Sequence, residues 1–99
     1  MTIEELKRSL HIDGEYNDIK LYALMDGAKA SLYPTIGYSE TSKVEDSKKF
    51  DSLLDIFITE YVRGLYYHID NQKVTDALQM QLQAMIIDEV DSAKKWFKN

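Results

Sequence analysis

The sequence predicts an all-α fold, a small helical bundle of about four helices, and three observations carry that expectation. The 99 residues include one proline and four glycines. Leu, Lys, Glu, Gln, Ala and Met, all good helix formers, are abundant. No segment alternates apolar and polar residues with period two for long enough to make a convincing strand. The length suits one domain, 1–99, with a single modest core, made of a short N-terminal helix, two long core helices and a C-terminal helix.

The first helix is marked by its start. Thr2 followed by Glu5 has the form of a capping box, and Ile3, Leu6 and Leu10 repeat at helical spacing up to a stop near His11. The acidic turn that follows, with Asp13, Glu15, Asn17 and Asp18, raises the question of a cation site. A calcium loop of the EF-hand type needs glycine at its sixth position and a bidentate Glu at its twelfth. Counted from Asp13, those positions hold Asp18 and Leu24, so the turn reads as a helix boundary in which Asn17 or Asp18 caps the second helix. That helix shows the stripe Leu21, Leu24, Met25, Ala28, Leu32. Gly27, Ala28 and Ala30 allow close approach of a neighbour. Pro34 predicts an end or a kink, with Gly37 as the stop.

Residues 38–48, "YSETSKVEDSK", form a polar loop, the segment expected to be most mobile. From Phe50 onward two adjoining apolar stripes follow: Phe50, Leu54, Phe57, Tyr61, Leu65 and Leu53, Ile58, Val62, Tyr66, Ile69. A helix apolar on two sides is expected at the centre of the core. "DNQ" at 70–72 interrupts it. A last helix, 75–97, is expected to present Leu78, Leu82, Met85, Ile86, Val90, Ala93 and Phe97 on one face, with Lys94, Lys95 and Lys98 opposing its C-terminal dipole.

Composition narrows the function classes. The formal charge is −5 and there is no cysteine. The charge argues against tight, sequence-independent DNA binding, and the missing thiols exclude disulfides and thiolate metal sites. The start, "MTIEELKRSL", is read as neither signal peptide nor membrane span. His11 and His68 stand far apart with no third ligand at zinc spacing, so no metal is expected. Gly14, Gly27, Gly37 and Gly64 are scattered singly, which leaves no phosphate loop. The carboxylate pairs Asp88 with Asp91 and Glu45 with Asp46 read as solvated charge, so no catalytic residue and no cofactor is assigned, and the chain is not expected to be an enzyme. The seven tyrosines are another matter. Tyr61, Tyr66 and Tyr67 cluster at one end of the third helix, and Tyr, like Trp96, is a residue of interfaces. Outside its core stripe the last helix also carries Met80 and Ile87, so these six residues are the candidate contacts with a partner.

The order of these pieces resembles a known family. A capped helix ending in "ELKRSLHID", the turn "GEYND", a helix with "LYALMDGAKASLY" leading to "IGY", a polar loop and a long helix ending in "YVRGLYYHIDN" are similar to the head-tail connector proteins of long-tailed bacteriophages. Leu6, Leu10, Ile12 and Asp13, then Leu24, Ala28 and Lys29, then Gly37 carry the likeness over residues 2 to about 71. The resemblance implies a non-catalytic virion protein, an adaptor that assembles beneath the portal as a homo-oligomeric ring of about twelve copies. Such a ring extends the channel through which DNA leaves the capsid. Its partners would be the portal and head-completion or tail proteins, and its places the host cytoplasm before assembly and the head-tail junction after it. No sequence-specific nucleic-acid or membrane contact is expected. A small acidic helical regulator with one protein partner is the alternative from another class.

Overall fold

The computed structural model describes residues 1–87 and confirms the all-α class. Four helices, α1 (Ile3–Leu10), α2 (Asp18–Ile36), α3 (Ser47–Tyr66) and α4 (Gln72–Ala84), build it. Two short strands, β1 (Lys43–Val44) and β2 (Ile86–Ile87), join them. α3 touches all three other helices, and α2 also meets α1 and α4. One core results, with Leu6, Leu10, Leu21, Leu32, Phe50, Ile58, Val62 and Leu82 its largest fully buried side chains.

Each helix starts and stops for an identifiable reason. The Thr2 hydroxyl accepts from the Glu5 amide, and the Glu5 carboxylate accepts from the Thr2 amide, completing the capping box. The bond from the Thr2 amide holds the Glu5 carboxyl below its usual pKa. Asp46 caps α3 by accepting from the Lys49 amide at 3.1 Å. Three helices then close in the same way, through a residue in the left-handed region: His11 (φ 58°), Gly37 (φ 71°) and His68 (φ 54°). The following amide turns back into the last turn each time, Ile12 to the Lys7 carbonyl, Tyr38 to that of Tyr33 and Ile69 to that of Gly64. The two histidines are therefore helix-ending residues.

Pro34 neither ends nor visibly interrupts α2, which runs two residues beyond it to Ile36. The proline sits in the last turn, where the Thr35 hydroxyl donates to the Ser31 carbonyl at 2.9 Å and Gly37 supplies the stop. The rings of Tyr33 and Tyr38 meet 4.9 Å apart across that stop, and Tyr38 stacks on Phe50 at 5.0 Å.

Two expectations need correction. The last helix starts earlier and ends sooner than 75–97, at Ala84, and the chain then pairs as a strand. Ile86 lies opposite Val44 and Ile87 opposite Lys43, and the Glu45 amide donates to the Met85 carbonyl at 3.0 Å. β-Branched Ile86 and Ile87 suit this extended backbone better than another helical turn. Leu78, Leu82 and Met85 are buried as expected, whereas Val90, Ala93, Phe97 and the three lysines lie outside the described residues. The polar segment 38–48 is accordingly no plain loop, since it contains β1 and the cap of α3. The second correction concerns α3. Phe50, Phe57, Ile58 and Val62 are buried, but Leu65 and Ile69 are about half exposed because the helix ends at Tyr66 and the chain turns away.

The α3–α4 corner depends on Gly64. A Cβ there would stand 2.5 Å from Asn71 Oδ1. Asn71 Nδ2 donates to the Glu60 carbonyl at 2.6 Å and to its carboxylate at 3.2 Å, so the amide has little room to retreat. Gly64→Ala is expected to lower stability by about 1–3 kcal/mol in urea unfolding. His68→Gly is expected to raise it by up to about 1 kcal/mol, because glycine adopts the left-handed conformation without a Cβ clash.

Candidate interaction surface

The acidic turn and the tyrosine cluster, distant in sequence, form one corner. Gly14, at φ 78°, lets the chain reverse between α1 and α2. Lys7 Nζ then pairs with Asp18 Oδ1 at 2.9 Å across the bend. This hydrogen bond raises the Lys7 pKa, so the pair is intact at neutral pH and its contribution is lost only as pH climbs past the ordinary lysine range. Asn17 stands at the start of α2, but its side chain does not cap the helix. Its Nδ2 donates instead to the Tyr66 hydroxyl at 2.7 Å. The Tyr67 hydroxyl donates to the Leu10 carbonyl at 2.7 Å, near the end of α1. The two rings meet edge-on at 5.0 Å, and Lys20 Nζ lies 5.4 Å from the Tyr66 centroid. Among the described residues no group of three or more His, Cys, Asp or Glu is placed to hold a metal ion.

The five expected contact residues that are described do not form one patch. Tyr66 is half-buried, and both it and Tyr67 have their polar tips engaged inside the molecule. Tyr61 stacks on Phe57 at 6.0 Å and lines a groove of about 360 Å³ with Leu65, Ile69, Asn71 and Thr75. Met80 is 70% exposed and Ile87 42%, both toward the far end of α4 from that corner. Trp96 lies outside the described residues. A second groove, of about 370 Å³, runs between α1 and α3, where the Met1 amine stands 3.4 Å from Asp55.

Two side chains outside the expected contacts, Tyr16 and Ile19, are the most exposed large apolar residues described, and Tyr22 is exposed as well. Tyr16 is 97% exposed, Ile19 88% and Tyr22 53%. Residues two apart on a helix point to nearly opposite sides, so Ile19 faces outward because Leu21 faces the core. That signal was present in the helical spacing. Tyr16 precedes the cap residue, a position from which an apolar side chain often packs on the first turn of the helix, yet here it stays in solvent.

Tyr67→Phe is expected to cost about 0.5–1.5 kcal/mol of unfolding free energy, since it leaves the Leu10 carbonyl without this donor. Tyr22→Phe, on an exposed ring, is expected to change stability by less than about 0.5 kcal/mol. Chemical denaturation of both variants side by side checks the contrast.

None of the described helices is long and apolar enough to cross a membrane. Comparison with protein-family models, with curated proteins and with solved structures finds no match for this chain.

Proposed function

We propose that this chain is a structural adaptor of the head-tail junction in a long-tailed bacteriophage, one subunit of a ring that continues the portal channel. The observation that carries the reading is the corner that unites the quoted pieces of the resemblance. "LHID", "GEYND" and the tyrosine pair of "GLYYHID" meet through the Tyr67–Leu10 and Asn17–Tyr66 hydrogen bonds. The order of a short capped helix, an acidic turn, a second helix stopped at Gly37 and a long third helix agrees with the same reading.

Surface chemistry adds support. A subunit that contacts both its neighbours and a portal needs apolar area on more than one side, and this chain exposes Tyr16 and Ile19 at one end and Met80 and Ile87 toward the other. A net charge of −5 suits a channel that DNA passes without sticking, because phosphates are not held by an acidic wall.

The test is reconstitution with a portal protein from the genome that encodes this chain, and a genome without one overturns the reading. Electron microscopy of the mixture is expected to show an added ring, of about twelve copies, beneath the portal. A chain that ignores the portal but forms a stoichiometric pair with a non-virion protein would instead be the small acidic regulator. In a gel shift at physiological salt, low micromolar protein is expected to leave duplex DNA unshifted.

A further inference from the structure

We infer that the outward face of α2's first turns, Tyr16, Ile19 and Tyr22, is the docking site for the basic-aromatic segment Lys94–Lys98 of a second copy of this chain. The inference deepens the adaptor reading and rests on it only for closure into a ring; the contact itself is argued from charge, exposure and reach.

Charge comes first. Asp13 and Glu15 precede Tyr16 and Asp26 follows Tyr22 by one helical turn, three exposed acids against one exposed lysine, Lys20. The donor sequence is "KKWFK", three lysines around Trp96 and Phe97. Residues 88–99 hold three acids and three lysines that cancel, so residues 1–87 carry the whole net charge of −5. The last lysines are thus a basic cluster on an acidic protein. Each aromatic ring supplies apolar area for Ile19 and the two tyrosines, and each lysine finds a carboxylate at the rim.

Reach selects a second copy. The described chain ends at Ile87, paired with Lys43 just ahead of α3. The first turn of α2 lies at the opposite end of α3, where Asn17 bonds Tyr66. The twenty residues of α3 span about 30 Å. The nine residues from Ile87 to Trp96 span about 30 Å only when fully stretched. Docking within one chain would require a taut strand along the whole helix, whereas an adjacent copy presents the same face without that constraint. Donor segment and acceptor face are different parts of the chain, so the contact is heterologous and closes into a ring when the rotation between copies permits.

Trp96 is the one tryptophan, so its fluorescence reports the contact directly in the full chain. Raising the protein concentration toward about 1 mM is expected to shift Trp96 emission to the blue as copies associate. Ile19→Lys is expected to weaken association at least about tenfold at an unchanged melting temperature. Trp96→Ala is expected to do the same. Mixing the two variants is decisive. The intact Trp96 segment of the Ile19→Lys copy meets the intact face of the Trp96→Ala copy, and the mixture is expected to stop at a dimer in light scattering. The inference is overturned if Trp96 emission does not change with concentration, if Ile19→Lys associates like wild type, or if the mixture stays monomeric. A blue-shifted emission that depends on Ile19 but not on concentration would place the segment on its own chain and overturn it too. Portal binding by the same proteins is scored separately. Loss of the Trp96 signal with portal binding retained sinks this contact alone, and a Trp96 signal without portal binding sinks the adaptor reading.

Discussion

A helix that is apolar around much of its circumference cannot be satisfied by one neighbour, and α3 imposes that constraint on the whole molecule. Phe50, Phe57, Ile58 and Val62 are removed from water only because α1, α2 and α4 close on different sides of the same twenty residues. Burial of each large side chain contributes roughly 1.5–3 kcal/mol, so the arrangement of the other helices follows from covering this one. The chain reversals that bring them back are short. Left-handed residues at 11, 37 and 68 end three helices within a residue or two and return the backbone toward the core.

The polar contacts have a different task from the core. Apolar packing along α3 leaves the angle of the α1–α2 hairpin loosely defined, whereas hydrogen bonds are directional. The Tyr67–Leu10 and Asn17–Tyr66 bonds and the Lys7–Asp18 pair act on one bend and fix how it meets the end of α3. Asn17 gives up its side-chain cap for this purpose. The carboxylates that face water there, Asp13 and Glu15, remain available to the surroundings because neither is drawn into the bend.

Much of this was legible in the chain. The Thr2–Glu5 capping box, the Leu21–Leu32 stripe, the stop at Gly37 and the central position of the third helix all follow from spacing and cap chemistry, which are local. What escaped was non-local. Nothing in the period of "QMQLQAMII" tells that Ile86 will find Val44 some forty residues earlier, because a helical stripe and a two-residue strand use the same apolar residues. The internal hydrogen bonds of Tyr66 and Tyr67 were not legible because their donor and acceptor, Asn17 and Leu10, come from another part of the sequence. The exposure of Ile19 was within reach of the helical wheel.

The pairing of β1 with β2 has a mechanical consequence. It closes a long loop with two residues per strand, so it gains little for the chain entropy it removes. Opening it leaves the helices intact, with Leu82 still anchored in the core. Met85, buried like Leu82, stays with the core as well, so what opening undoes is the pairing of Val44 with Ile86 and of Lys43 with Ile87. The small sheet is a latch between the α2–α3 connection and the end of α4.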